Sequence, residues 1–307
     1  MQNILQAVGL TKYYGSKRGV EGLDFSIREG EIFGVLGPNG SGKTTTIRLI
    51  LDFIRPTRGK VLVFGVTPWR GGRAQRKRIG YLAGEPGVYE DMRGEKFLNL
   101  CRDLSGNGAP LRDWLCDMLT FGARERGSRI KGYSKGMKQK LGIVQALQHD
   151  PDLVILDEPT SGLDPLVQAN FYEVLRELKR RGKTVFFSSH VVSEVQQLCD
   201  RAGVLMDGKL ILDTAVGELV AAAERVLWVR FAPASREDLA PPSHIGPAAY
   251  ARREGAWVVY HFAPESSPGV LTELALLAPV DFRAESGFEQ SFLKLYSETS
   301  KPKGGGA

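Results

Sequence analysis

Several features are scarce or absent in this 307-residue sequence. It has three cysteines, Cys101, Cys116 and Cys199, and their spacing does not match a metal site, so we predict free thiols in a reducing compartment. No apolar run approaches the ~18 residues that a membrane helix requires, and we expect no signal peptide. We also find no internal repeat.

The charge balance is only mildly basic, with a formal net charge of +6 and a pI of about 9.2. Such a balance fits a nucleic acid or an anionic membrane surface as partner, but a solvated basic face is the commoner outcome. Hydrophobic residues make up 42% and charged residues 25%, which is ordinary for a globular protein with a core. The length predicts one large domain or two ordinary ones.

A glycine-rich stretch follows the apolar run Ile32–Leu36, which reads as a buried strand. Residues 37–44 have the form Gly-x-x-x-x-Gly-Lys-Thr, and a helix is predicted after them, the context that a phosphate-binding P-loop needs. Glycines let backbone N–H groups turn toward phosphates, and the helix N-terminus adds its positive dipole end. A simple glycine-rich turn is the alternative. The candidates for phosphate binding are Gly37, Pro38, Asn39, Gly40, Ser41, Gly42, Lys43, Thr44 and Thr45.

Two adjacent carboxylates end a second apolar strand, residues 153–158. In P-loop proteins such an Asp holds Mg²⁺, so Asp157 and the Thr44 hydroxyl are candidate ligands, while Glu158 would orient or deprotonate a water. His190 follows another strand and would contact the γ-phosphate if that strand neighbours, in a parallel sheet, the one that bears Asp157. The alternatives are a buried strand with a polar end and an ordinary loop histidine.

Residues 133–139 open a predicted helix in which Ser134 is well placed as the N-cap. A serine hydroxyl, backbone amides near Gly136 and a helix N-terminus make a second anion site. The P-loop already provides a binding site for the phosphates of the chain's own nucleotide. This second site would therefore bind a nucleotide held by another copy of the chain. An ordinary helix cap is the alternative.

Strands that alternate with helices predict an α/β core with a mainly parallel sheet and additional antiparallel strands. We place this core in residues 1–220, with a helical subdomain at about 86–150. A helix over 214–224 leads into a small C-terminal α+β domain, residues 221–300. That domain ends in a helix over 288–297, and 301–307 form a disordered tail.

The ordered motifs over residues 4–220 resemble the ATP-binding cassette ATPases, the nucleotide-binding subunits of ABC transporters. Residues 37–44 match the family's Walker A, and 153–158 match its Walker B with the catalytic glutamate. Asp164 closes the D-loop match, His190 matches the switch histidine, and Tyr14 matches the aromatic that stacks on adenine.

The resemblance implies a P-loop ATPase that binds ATP and Mg²⁺ and forms a head-to-tail dimer with a second copy, most simply a homodimer. Each ATP would lie between the Walker A of one copy and Ser134 and Gly136 of the other. It also implies a membrane-spanning permease as a separate chain, a place at the cytoplasmic face of the cell membrane, and no nucleic-acid partner.

The sequence departs from the family pattern at two points. Lys135 replaces a glycine of the signature Leu-Ser-Gly-Gly-Gln, and would either add positive charge near phosphate or point to solvent. After residues 79–82 the family carries a glutamine that contacts Mg²⁺, whereas this chain has Ala-Gly-Glu, with Gly84 at the glutamine's place. Glu85 is therefore a candidate metal ligand, with a water molecule as the alternative.

Residues beyond about 220 resemble the C-terminal extension of cassettes from bacterial drug- and antibiotic-export systems, which favours export. Three other functions stay open. A translation factor of the same superfamily would carry two cassettes, but this chain has one P-loop. A DNA-associated ATPase would carry long coiled coils, but no sustained heptads are visible. A regulator that only binds nucleotide would not need the Asp157–Glu158 pair.

Overall fold

The structure of the chain is a computed structural model that describes residues 2–231 and 243–287. Its contacts divide the chain into two units, Met1–Ala215 and Val216–Ala307. The sequence predicted a domain boundary after residue 220. The predicted helix over 288–297 and the tail 301–307 lie outside the described residues.

The first unit contains nine strands and eight α-helices within its described residues. The strands are β1 (Asn3–Tyr14), β2 (Lys17–Arg28), β3 (Ile32–Leu36), β4 (Arg58–Val63), β5 (Ile79–Leu82), β6 (Leu153–Asp157), β7 (Thr184–Ser189), β8 (Arg201–Met206) and β9 (Lys209–Ala215). The helices are α1 (Lys43–Ile50), α2 (Pro68–Arg76), α3 (Gly94–Ser105), α4 (Arg112–Met118), α5 (Ala123–Gly127), α6 (Lys135–Leu147), α7 (Pro165–Arg180) and α8 (Val192–Leu198).

The central sheet of this unit has six strands in the order β5-β6-β7-β3-β8-β9. The first five run parallel, and β9 pairs with β8 in antiparallel orientation. Every residue of β3, β6 and β7 is buried, as expected for parallel strands covered on both faces. The predicted α/β class with a mainly parallel sheet is confirmed.

An antiparallel sheet in the order β2-β1-β4 accompanies the central one. Both sheets contribute to one hydrophobic core, in which Phe25 and Phe33 stack with ring centroids 5.7 Å apart and Phe186 lies 6.3 Å from Phe33. Because Phe33 belongs to β3, this aromatic cluster anchors the strand that precedes the P-loop.

In its described residues, the second unit contains a five-stranded antiparallel sheet with the helix α10 (Ser267–Leu277) packed on one face. Its elements are α9 (Val216–Ala222), β10 (Arg225–Arg230), β11 (His244–Ile245), β12 (Ala248–Glu254), β13 (Trp257–Phe262), α10 (Ser267–Leu277) and β14 (Asp281–Ser286). Val270 and Leu274 of α10 pack against Leu227, Val229 and Tyr260 of the sheet.

Two sequence predictions differ from the structure. The helix predicted from residue 214 begins at Val216, because Thr214 and Ala215 extend β9 and pair with Ala202 and Arg201 of β8. Strands β11 and β12 were not predicted. Among the described residues, no helix combines the length and the apolarity that crossing a bilayer requires.

Candidate functional site

The P-loop connects β3 to α1 at the carboxyl end of the central sheet, where ligands of α/β proteins bind. Two of its glycines are structurally required. A Cβ atom at residue 37 would lie 2.4 Å from the carbonyl oxygen of Leu205. Gly42 precedes α1 with a φ of 111°, a backbone conformation that L side chains rarely adopt. The loop can therefore approach a ligand with its backbone.

The remaining P-loop positions differ in exposure. Asn39, Gly40 and Thr44 are exposed, whereas Pro38 and Thr45 are half-buried. The hydroxyl of Ser41 is buried and has no hydrogen-bond partner among the described residues. Since buried polar groups are nearly always paired, an unpaired hydroxyl inside the loop is a group that a bound phosphate could satisfy.

Lys43 is the first residue of α1, and its side chain is only 5% exposed. Its ammonium group donates hydrogen bonds to the carbonyl oxygens of Gly37, at 2.6 Å, and Pro38, at 3.2 Å. Burial lowers the pKa of Lys43, and the nearby charges of Glu158 and Asp157 oppose that shift. The loop's own carbonyls thus hold a cation beneath the phosphate-binding backbone.

Asp157 ends β6 and is buried, with both carboxylate oxygens engaged. The Thr44 hydroxyl donates to Oδ2 at 3.0 Å, and the Ser188 hydroxyl of β7 donates to Oδ1 at 2.6 Å. A threonine hydroxyl beside a carboxylate is an oxygen-only set of the kind that Mg²⁺ prefers, alongside phosphate oxygens and water. These residues therefore fit a magnesium ion.

The carboxylate of Glu158 lies between the side chains of Lys43 and His190. Its Oε1 is 3.6 Å from Nζ of Lys43, and its Oε2 is 3.3 Å from Nδ1 of His190. The backbone of Glu158 has a φ of 48°, in the left-handed region, and its N–H donates to both the carbonyl and the hydroxyl of Ser188. This conformation directs the carboxylate toward the P-loop side of the sheet.

Tyr14 ends β1 and is 43% exposed, so its ring is open to a ligand. A Cβ atom built at Gly19 would lie 2.9 Å from Cε2 of Tyr14 and 3.1 Å from Cγ2 of Thr45. The absence of a side chain at residue 19 therefore lets Tyr14 approach the P-loop helix. Nζ of Lys12 lies 5.5 Å from the Tyr14 ring centroid.

The candidate second anion site lies at the start of α6. Ser134 is exposed, and its hydroxyl accepts a hydrogen bond from the N–H of Met137 at 3.2 Å, the geometry of an N-cap. Gly136 faces the loop before α7, since a Cβ there would lie 2.7 Å from the carbonyl oxygen of Gly162. Asp164 caps α7 by accepting from the N–H of Val167 at 3.0 Å. In the described residues, no hydrogen bond joins these groups to the P-loop of the same chain.

Lys135 is exposed, and its side chain makes a contact within the chain. Its ammonium group donates to the hydroxyl of Ser161 at 2.9 Å, and its stem lies along Gly162, where a Cβ would meet Cδ and Cγ at 3.0 Å. Gln139, one turn further along α6 and 1% exposed, donates to the carbonyl of Pro159 at 2.7 Å. The first turns of α6 are thus tied to residues 159–162.

The structure gives Gly84 and Glu85, in the loop after β5, different surroundings. A Cβ at Gly84 would lie 3.4 Å from the carbonyl oxygen of Asp157 and 3.9 Å from its Oδ2, so this position faces the candidate metal ligand. Glu85 is exposed. Within 2–231 and 243–287 no three His, Cys, Asp or Glu side chains are grouped as a metal site.

Direct contacts therefore join Lys43 and His190 to Glu158, and Thr44 to Asp157, all of them predicted site residues. Lys43 is also bonded to the predicted P-loop residues Gly37 and Pro38. Sequence reasoning missed Ser188 and Gln139. Ser188 lies two residues before His190, on the strand that β6 pairs with, and that position was the available signal. Gln139 carries no signal beyond its place on α6.

Comparison with known proteins gives consistent results. A family model described as ABC transporter matches residues 20–161. The bacitracin transport ATP-binding protein BcrA of Bacillus licheniformis is 39% identical over 214 residues, which are 69% of this chain and 69% of that protein. The Nod factor export ATP-binding protein I of Paraburkholderia xenovorans is 38% identical over 213 residues, covering 68% and 70%.

Solved structures give the same result for the fold. The structure of an ATP-binding subunit of an ABC transporter aligns with a TM-score of 0.66 and 29% identity, covering 70% of this chain and 91% of that one. A dimeric, post-hydrolysis ATP-binding cassette bound to ADP and Pi aligns with a TM-score of 0.62 at 21% identity, covering 69% and 98%. At that identity the second likeness concerns the fold alone.

Proposed function

The chain belongs to the ATP-binding proteins of ABC transporters, and from this premise we propose which of its residues perform each step. It is the ATP-binding and ATP-hydrolysing subunit of a transporter. No observation favours the alternative of a translation- or DNA-associated ATPase. Such subunits work with membrane permease components and dimerise. The proposals below therefore concern the roles of individual residues, the direction of transport and the permease partner.

One observation carries the proposal: Glu158 bridges Lys43 and His190 while Asp157 engages Thr44, all at the carboxyl ends of β3, β6 and β7. A triphosphate on the P-loop backbone would lie beside a buried cation, a carboxylate and an imidazole. This is the set of groups that phosphoryl transfer to water requires, since its catalysis is positioning and charge stabilisation.

Thr44 and Asp157 would hold Mg²⁺, with Glu85 as a further ligand that reaches the metal in the nucleotide-bound state. Bound magnesium would neutralise charge on the β- and γ-phosphate oxygens. Ser188 supports the site by fixing the second oxygen of Asp157. A supported ligand keeps one orientation, which preserves metal affinity.

In hydrolysis, Lys43 leaves its carbonyl partners for the β- and γ-phosphates. Glu158 accepts a proton from the attacking water, and His190 contacts the γ-phosphate. The ion pair between Lys43 and Glu158 would then be replaced by contacts of each residue with nucleotide or water. Tyr14 stacks on adenine, for which its exposed ring is suited.

Ser134 and Gly136 serve the ATP of a partner copy, together with Asp164 near the interface. Ser134 is exposed at the N-terminus of a 13-residue helix, and such a terminus binds anions through its backbone N–H groups and dipole. No hydrogen bond connects it to its own P-loop in the described residues, which supports a role across a dimer. We propose a homodimer, because one chain contains both halves of the composite site.

We also propose that the transporter exports its substrate and that this subunit lies at the cytoplasmic face of the cell membrane. Relatives named for bacitracin transport and Nod factor export support that direction. We propose that the permease is a separate chain, because the relatives are named as ATP-binding proteins.

Complementation between two inactive variants tests the composite site. Lys43→Ala removes the P-loop cation, and Ser134→Arg blocks the second anion site. In a head-to-tail dimer, mixing the two proteins creates heterodimers in which one of the two sites is intact. We expect each variant alone to be inactive and the mixture to recover about a quarter of wild-type ATP turnover, the statistical share for independent sites.

Turnover of the mixture equal to the mean of the two separate variants would contradict the composite site. Ser128→Arg is the matched control, because Ser128 is also exposed in the helical subdomain and its hydroxyl donates to the carbonyl of Glu125. The Ser128→Arg protein should keep wild-type turnover by itself, without being mixed with a second variant.

A further inference from the structure

A buried carboxylate lies behind the site, on α8. Glu194 is 4% exposed, and its two oxygens accept four side-chain hydrogen bonds. The donors are Thr160 at 2.6 Å, Gln168 at 3.0 Å and Tyr172 at 3.3 Å to Oε1, and Ser189 at 2.5 Å to Oε2.

All four donors are neutral groups. A carboxylate without a cationic partner is costly to bury, so these hydrogen bonds must replace its lost hydration. Burial and the charge of Glu194 raise the pKa of Tyr172 to about 12, which keeps the phenol protonated as a donor. The network is therefore satisfied only while each donor stays in place.

Two of the donors belong to the segments that carry the catalytic candidates. Thr160 lies two residues after Glu158, and Ser189 lies directly before His190. The Ser189 hydroxyl also accepts the N–H of Val191 at 2.9 Å, which fixes the backbone on the far side of His190. One carboxylate thus connects the loop after β6 with the end of β7.

We infer that Glu194 is a positioning residue that sets the separation of Glu158 and His190. The two side chains are 3.3 Å apart, and Glu158 holds a left-handed backbone conformation that its surroundings must maintain. Glu194 touches neither side chain and acts through Thr160 and Ser189. The inference rests on the roles proposed above for Glu158 and His190.

The test compares Glu194→Ala and Glu194→Gln in the full chain. Alanine removes the acceptor of all four hydrogen bonds, whereas glutamine keeps one carbonyl oxygen for the three donors that bond Oε1. Because misplacing a catalytic group by about 1 Å can cost on the order of 100-fold in rate, we expect kcat to fall about 10- to 100-fold in Glu194→Ala. Glu194→Gln should lie between that variant and wild type, and KM for ATP should change by less than about twofold in both.

A purely structural role would lower the amount of competent protein instead. We therefore express turnover per ATP-binding site, measured by equilibrium titration of each preparation with a fluorescent ATP analogue. Wild-type turnover per site in Glu194→Ala would overturn the inference. Glu173→Gln is the matched control, because Glu173 lies on α7 beside Tyr172 but is exposed and pairs only with Arg176; it should match wild type.

A double-mutant cycle tests the route of the effect. Thr160→Val removes one donor while preserving side-chain shape, and should lower kcat in the wild-type background but have little effect in Glu194→Ala. Additive effects would show that Glu194 does not act through Thr160. The proposed roles are tested separately by Glu158→Gln and His190→Ala. If those variants turn over ATP normally, the proposed function fails; if they are inactive while Glu194→Ala is active, only this inference fails.

Discussion

The substitution Glu158→Gln separates binding of ATP from its hydrolysis. It preserves the size of the side chain but removes both the proton acceptor and one negative charge. In the structure that charge lies 3.6 Å from Nζ of Lys43 and 3.3 Å from Nδ1 of His190. Because the amide cannot take a proton from water, we expect kcat to fall about 10²- to 10⁴-fold, the usual contribution of a general base.

Affinity for ATP should change in the opposite direction. Glu158 competes with phosphate for Lys43, and its side chain is 29% exposed, so solvent weakens the pair. Ion pairs that solvent screens contribute about 0.2–1 kcal/mol. Removing Glu158 as a competitor for Lys43 should therefore tighten the Kd for ATP by up to about fivefold. The variant should therefore accumulate as an ATP-bound dimer.

Three measurements check this prediction: single-turnover hydrolysis, equilibrium binding of ATP, and the molar mass of the protein with and without ATP by light scattering. The exposed-surface variant Glu173→Gln serves again as a control for loss of one carboxylate. Turnover near the wild-type rate would refute the role of Glu158 as base. Weaker ATP binding would refute the competition between Glu158 and phosphate for Lys43.

Two further predictions concern the proposed magnesium ligand Glu85 and the cysteine thiols. Glu85→Ala should raise the Mg²⁺ concentration needed for half-maximal turnover, since it removes a proposed ligand; an unchanged Mg²⁺ titration would show that Glu85 does not bind the metal. Burial raises the pKa of the Cys101 thiol to about 11, so its alkylation by iodoacetamide at pH 8 should be about 100-fold slower than that of an ordinary exposed thiol. Rapid alkylation of the folded chain at Cys101 would contradict this, whereas all three free cysteines should react after unfolding.

Local signals mark where two helices begin. Helix α7, Pro165–Arg180, begins with proline directly after Asp164, whose side chain caps it, and both residues are typical helix-start signals. Ser134 caps α6 as predicted. In both cases neighbouring residues alone determine where the helix begins, so no tertiary information was needed.

Tertiary pairing explains the elements that were missed. Strand β12, Ala248–Glu254, is exposed at six of its seven positions and lacks the alternation of a half-buried strand. It forms because its backbone pairs with β13, for example Tyr250 with Tyr260. Likewise, Thr214 and Ala215 are strand residues because β8 lies beside them, which overrides their place next to a helical pattern.

The contacts of the site also divide into those that local motifs predict and those that depend on tertiary structure. Motif spacing identified Lys43, Asp157 and Glu158 as site candidates, because these residues occupy fixed positions at or after the ends of buried strands. The support of Asp157 by Ser188 and the contact of Glu194 with Thr160 join residues that are distant in the sequence. The sequence contains no local pattern for such contacts, and they required the order of the sheet.

The central claim is that one ATP is held by the P-loop of one copy and by the start of α6 of another. A structure of Glu158→Gln with ATP and Mg²⁺ measures this directly. The account predicts a dimer in which the Ser134 hydroxyl lies within hydrogen-bond distance of the γ-phosphate on the partner copy's P-loop. Ser134 directed away from every bound nucleotide would contradict it.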